Sequence, residues 1–397
     1  MKLFSNLLIL LLLLPWCANG AVKNGIDVLI DQEFAPLAGK RIGLITNHTG
    51  LTYDGRRTID VLARSGKVKL VAIFTPEHGL TGTRDDEKIA SGLDTATGLP
   101  VYSLYQEKTR RPKPEMLQGL DALVYDIQDA GARFYTFITT MGYTLEEAGR
   151  NHIGYYVLDR PNPIGGAAVE GPLLDPKYFS MVGYMRMPIR YGMTAGELAQ
   201  LFNSENKLGA DLHVIAMQGW QRSMFFDETG QEWTEPSPNL RNLTEAIFYP
   251  GTCLLESTQV SVGRGTDTPF LILGAPWFQG KAVADWLNGL GLPGVRFLAR
   301  RFRPAAPPFK DQECDGVELQ LIDRRALNAV RTGLALVAAT LKFHPGKFDL
   351  DKTMKLLGSD DVAARLKRGE SVDSIEASFQ PQLKEFLARR ERYLIYR

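Results

Sequence analysis

Cysteine is nearly missing from this chain. Only Cys17, Cys253 and Cys314 occur in 397 residues, which excludes a disulfide-stapled framework. An excess of either charge is missing too, since 46 Lys and Arg face 45 Asp and Glu for a net charge of +1. That balance gives no reason to expect nucleic acid or an anionic membrane surface as a partner. Beyond the N-terminus no apolar run is long enough to span a bilayer, so no stable membrane insertion is expected. Internal repeats and low-complexity tracts are also lacking. What remains is 44% apolar and 23% charged, an ordinary globular composition.

The N-terminus carries the one long apolar run, Leu7 to Leu14, after the basic start at Lys2 and before Pro15. Ala18-Asn19-Gly20 places small residues just ahead of Ala21, the pattern of a cleaved secretory signal peptide over residues 1–20. A membrane anchor is the competing role, but the run falls short of the roughly 20 residues a span needs. Lipidation at Cys17 is opposed by Pro15 and Trp16 before it. The expectation is export, to the periplasm or the exterior. Cleavage leaves Cys253 and Cys314, either paired in an oxidising compartment or buried as thiols.

The mature chain is long enough for two domains. From Arg41 onward short apolar runs alternate with helical patterns. "RIGLITN" (41–47), "VKLVAIF" (68–74), "LDALVYDI" (120–127) and "IGYYVLD" (153–159) are continuous runs of the kind buried on both faces of a parallel sheet. Between them fall helical spacings at 57–64 and 114–119, and a Thr-x-x-Glu capping box at Thr144 and Glu147 that predicts a helix start. A second box, Thr194 to Glu197, opens another helix. Later strand-like runs are 211–217, 270–277, 295–302 and 316–323, with helices near 280–290 and 325–342. The reading is an α/β fold: a Rossmann-like parallel sheet domain over 21–180, and a smaller α/β or α+β domain over 181–397. The boundary falls between about 165 and 195.

Ligands of open α/β sheets bind beyond the carboxyl ends of the strands. Here those ends carry Asn47-His48-Thr49-Gly50, Pro76-Glu77-His78-Gly79, the stretch Asp126 to Arg133, and Asp159 to Gly166 with Glu170 shortly after. None has the G-x-G-x-x-G spacing of a dinucleotide site, so no cofactor is expected. His48, His78, Asp126 and Asp129 are metal-ligand residue types, but their spacing matches no ligand motif and no metal is expected. Carboxylates suit hydrolysis of a glycoside, which commonly needs one acid and a second carboxylate as base or nucleophile. Glu77 fits the acid because it follows an apolar strand and Pro76, where burial favours the protonated form. Glu170, Asp126 and Asp129 are candidates for the second. Turn and cap duties compete for each of them. His78 either orients Glu77, contacts substrate, or is structural.

"TPEHGL", "DIQDAGARFYTFI", "LDRPNPIGG" with "VEGPLLD", "GMTAGELAQLFN", "GWQRSMFFDETG", "PSPNL", "YPGTCLLE" and "GRGTDTPF" together resemble the NamZ-like exo-β-N-acetylmuramidases of bacteria. The likeness runs in unbroken order from about Gly25 to the C-terminus. It implies a Rossmann-like domain plus a smaller C-terminal domain with the active site in the cleft between them. It implies release of N-acetylmuramic acid from the non-reducing end of peptidoglycan fragments, with Glu77 as the principal acid. The second catalytic group is left open by it.

In that setting Asn47, Asp126, Asp129 and Asn239 become candidate sugar contacts. The loop through Arg84 and Asp86 becomes one wall, and Trp220, Trp233, 236–239 and 263–266 the other. Aromatics there stack on sugar faces or simply fill core. Muramic acid carries a lactyl carboxylate, so the pocket should hold an arginine, drawn from Arg84, Arg133, Arg160 and Arg264, with Arg133 and Arg264 slightly favoured. A salt bridge within the fold is the competing role for each. Two other functions fit the same layout: a periplasmic sugar-binding protein and a metal-dependent amidase or deacetylase.

Overall fold

The computed structural model describes residues 21–83, 90–105 and 110–397. The expected leader and the loop residues Arg84 and Asp86 lie outside them. The chain opens with α1 (Gly25–Asp31), β1 (Arg41–Thr46), α2 (Thr58–Arg64) and β2 (Lys69–Thr75). Then come β3 (Gly92–Leu93), β4 (Pro100–Ser103), α3 (Pro114–Leu117), β5 (Ala122–Asp126), α4 (Thr136–Arg150) and β6 (Gly154–Leu158). α5 (Ala195–Glu205) and β7 (Leu212–Ile215) complete the first layer set.

Seven strands make one sheet in the order β3-β4-β2-β1-β5-β6-β7. All pairings are parallel except β3 with β4. Its strands are apolar at successive positions because both faces are covered. Ile42, Leu44 and Val124 pack with Ile59 and Leu62 of α2 on one face. Ile45, Leu123 and Tyr125 pack with Ile138 and Met141 of α4 on the other. The seventh strand comes from beyond residue 180, so the sheet continues well past the expected domain boundary.

The C-terminal part holds α6 (Leu243–Thr252), β8 (Ile272–Ala275), α7 (Gly280–Gly289), β9 (Val295–Phe302), β10 (Cys314–Leu321) and α8 (Ala329–Phe343). It ends in α9 (Met354–Leu357), α10 (Asp360–Lys367) and α11 (Val372–Arg390). Its three strands form an antiparallel sheet ordered β8-β10-β9. α6 and α8 touch at Gly251 and Gly333. A Cβ on Gly251 would stand 1.9 Å from the Ala329 carbonyl oxygen, so only glycine permits that approach. The apolar cluster on the α4 face runs without a break through α6, α8 and the second sheet. Cys253 and Cys314 are free buried thiols. No helix among the described residues is long and apolar enough to cross a membrane.

One element begins elsewhere than its sequence pattern implies. Thr144 does not cap a helix; it lies inside α4, which starts at Thr136. Its hydroxyl bonds back to the Thr140 carbonyl at 2.9 Å and meets the Tyr155 hydroxyl at 2.8 Å. Burial of Phe137, Ile138 and Met141 extends the helix upstream through residues whose propensity is low.

Candidate active site

β2 ends at Thr75 and the chain turns at once. His78 has φ 69° and Gly79 φ 71°. Two consecutive left-handed residues are easy for glycine and costly for histidine. The turn leaves Glu77 half-buried on the wall of a pocket of about 350 Å³. Phe134, Tyr135 and Thr136, at the entry to α4, form the adjoining wall. The Thr136 hydroxyl donates to Glu77 Oε2 at 2.5 Å and fixes the carboxylate. Burial and the nearby carboxylates of Asp129 and Glu77 keep the Tyr135 hydroxyl neutral, with Ser237 alongside.

The opposite wall comes from the C-terminal part. Tyr249, Cys253 and Glu256 project from α6 and the turn that continues it, and Arg264 follows. Arg264 forms an ion pair with Glu256 and its guanidinium stands 5.9 Å from the Phe270 ring centroid. Burial holds the Cys253 thiol protonated, so it donates to Glu256 Oε2 at 3.1 Å. Asn239 also lines this pocket. Two carboxylates, one arginine and several hydroxyls thus share one cavity between the two sheets. Such a set can protonate an oxygen, place a second carboxylate nearby, and hold an anion.

Of the expected site residues, Glu77, His78, Asn239 and Arg264 meet here. The others do not. Asp126 and Arg160 are paired with each other in the interior, with Arg160 Nε at 2.5 Å and Nη2 at 3.0 Å from the carboxylate. Thr58 adds a hydroxyl at 2.5 Å and Leu51 a carbonyl at 2.7 Å, so the pair is structural. Glu170 is ion-paired with Arg190 and accepts from the Val330 N–H at 3.1 Å, so it caps α8 and lies outside the Glu77 pocket. Arg133 is fully buried and donates only to backbone carbonyls, those of Pro172, Met187, Leu356 and Leu357. No lactyl group can reach it.

Asp129 lies behind the pocket wall. It accepts from the Tyr191 hydroxyl and from the Gly131 N–H, and burial pushes its pKa up to about 6. Asn47 faces a neighbouring cavity. Trp220 packs edge-on against Tyr396, and Trp233 against Phe226 with its N–H on the Leu240 carbonyl. Trp220 is buried and Trp233 half-buried against the core, and neither lines the Glu77 pocket. His48 Nε2 is engaged by the Glu235 carbonyl at 2.6 Å. Among the described residues no group of three or more His, Cys, Asp or Glu side chains converges as a metal site would.

The stretch 236–239 does reach the pocket through Ser237 and Asn239, whereas sequence reasoning passed over Tyr135, Thr136, Tyr249, Cys253 and Glu256. In "ARFYTFI" it favoured the charged Arg133, whereas the aromatic and hydroxyl neighbours are the ones that face the pocket. Tyr249, Cys253 and Glu256 recur at i, i+4 and i+7, the spacing of one helical face, and that was the signal available.

A parallel sheet without a dinucleotide loop, a carboxylate at a strand end and a second domain supplying carboxylate and arginine define a two-domain α/β protein of glycosidase type. The family is specific. The family models for exo-β-N-acetylmuramidase NamZ match this chain, the N-terminal one over residues 42–244 and the C-terminal one over 247–396, and the chain belongs to that family. It is 43% identical over 379 residues to peptidoglycan β-N-acetylmuramidase NamZ of Bacillus subtilis, covering 94% of this chain and 91% of that one. Two crystal structures of DUF1343 family proteins from Bacteroides fragilis share the architecture. One has a TM-score of 0.88 at 37% identity, the other 0.79 at 32%, each covering 95% of this chain and 99% of its own.

Proposed function

We propose that this protein is an exported exo-glycosidase that removes N-acetylmuramic acid from the non-reducing end of peptidoglycan fragments. The observation that carries this is Glu77, held by Thr136 on one wall of a pocket whose other wall presents Glu256 and Arg264. Glu77 donates a proton to the glycosidic oxygen as the bond to the anomeric carbon breaks. Glu256 is the second carboxylate in the pocket and serves as base or nucleophile toward that carbon. Arg264 receives the lactyl carboxylate, the group that separates muramic acid from glucosamine. Family membership supports the substrate class, and the N-terminal apolar segment supports export.

The test is hydrolysis of a chromogenic N-acetylmuramic acid glycoside beside its N-acetylglucosamine counterpart. The muramic substrate should be cleaved far faster. Glu77→Gln keeps the shape and removes the proton, so a folded variant should lose at least about 10²-fold in kcat. Near-wild-type turnover in that variant would remove Glu77 from the mechanism. Sugar binding with no turnover by the wild type would make the protein a capture module instead.

A further inference from the structure

A second cavity, of about 680 Å³, adjoins the Glu77 pocket, and His78 lines both. Among the described residues its lining comes from 47–81 and 90–101, at the carboxyl ends of β1 and β2 and along β3. Its polar members include Asn47, His48 and the Arg57–Asp94 pair, in which Nη2 and Oδ1 are 2.7 Å apart. Leu93 and Val101 give it an apolar side.

Asn47 is the informative residue. It is 3% exposed. Its side-chain oxygen accepts from the Thr49 N–H at 2.9 Å and the Thr49 hydroxyl at 2.6 Å. A backbone N–H can only donate, so this fixes which end of the amide is oxygen. The Nδ2 end is left buried with no partner. A buried donor without a partner is costly and uncommon, and beside a cavity it marks where a ligand acceptor belongs.

We propose that this cavity is the subsite for the leaving-group sugar, an N-acetylhexosamine, with Asn47 as a ligand. The assignment rests on the glycosidase reading above. The scissile bond must cross the Glu77–His78 turn, so the two sugars lie on opposite sides of it. The pocket containing Arg264 takes the terminal muramic acid. The cavity beyond His78 takes the sugar that departs, and its lip lets a longer chain continue outward, since Leu93 there is 69% exposed. Amide and ion-pair groups around an apolar side match the hydroxyls and the faces of a pyranose.

The experiment compares kcat/KM for the disaccharide muramic acid–N-acetylglucosamine with that for a small aryl muramic acid glycoside, which lacks the second sugar. Asn47→Asp keeps the oxygen that holds Thr49 and removes the donor. Leu93→Ala alters only the exposed lip. Each should lower kcat/KM for the disaccharide about five- to tenfold more than for the aryl glycoside, mainly through KM. Equal losses on both substrates, or none, would overturn the subsite while leaving the glycosidase intact. If the wild type cleaves neither substrate, the glycosidase reading fails and the subsite falls with it.

Discussion

An arginine held only by backbone carbonyls and one paired with a carboxylate on a pocket wall fail in different ways when removed. Arg133 donates to four carbonyl groups contributed by three separate chain segments. Arg133→Met should strand those acceptors and lower the melting temperature by several degrees, with kinetics near wild type at 25 °C. Arg264→Ala should do the reverse. The folded variant should lose about 10- to 100-fold in kcat/KM on the muramic glycoside and much less on the glucosamine one. Equal losses on both sugars would mean that selectivity comes from shape. Charge alone could not separate these two residues in the sequence, because both sit in glycine-containing loops beside aromatics. What separates them is which strand end the loop folds over, a property of three-dimensional packing.

At the level of elements, α8 receives its N-terminal support from a distant part of the chain. The Asn328 side chain caps the Arg331 N–H at 2.8 Å, and Glu170 takes the Val330 N–H. An anion at a helix N-terminus is favourable, and here it is also buried against Arg190. Glu170→Gln should therefore destabilise the fold by roughly 1–3 kcal/mol in denaturant unfolding while keeping kcat within a few-fold. A 10²-fold loss in a folded variant would return Glu170 to the catalytic set. The elements themselves were largely legible. β1, β2, β5 and β6 announce themselves as continuous apolar runs because both sheet faces are covered, and the box Thr194–Glu197 does cap α5. The start of α4 was not, because its first turns are aromatic and β-branched and only burial makes them helical. The far wall of the site was hidden for a similar reason. Tyr249, Cys253 and Glu256 lie on a helix that looks like core until its pocket-facing side is known.

Across the whole molecule, the last residues of the chain fold back onto the first sheet. Tyr396 donates to Asp159 at 2.6 Å, beside donors from Thr194 at 2.7 Å and Gly196 at 2.8 Å. Burial nonetheless pushes Asp159 up to about 6, as it does Asp129. Both values exceed the unfolded one of 3.8, so the folded state holds these protons more tightly. Their ionisation penalty is fully present above pH 6 and disappears as pH falls toward 4. His48 and His344, lowered by burial, act in the opposite sense below their ordinary value of 6.5. The clean measurement is thus a difference. Between pH 8 and pH 5, Asp159→Asn should lose part of the wild-type gain in unfolding free energy, on the order of 1–3 kcal/mol. Parallel pH curves for the two proteins would refute the buried-acid account.

The seam between the two family units falls at residues 244–247, inside the opening turn of α6, which runs Leu243–Thr252. The later part of that same helical stretch carries Tyr249, Cys253 and Glu256 into the pocket. An exchange of halves at this seam therefore splices a helix, and one residue of slippage rotates the pocket-facing side by about 100°. The two units are modular as sequences but not as machinery. With Arg264 and Asn47 in the sugar-binding roles proposed above, a point change around either alters the site without touching that helix register.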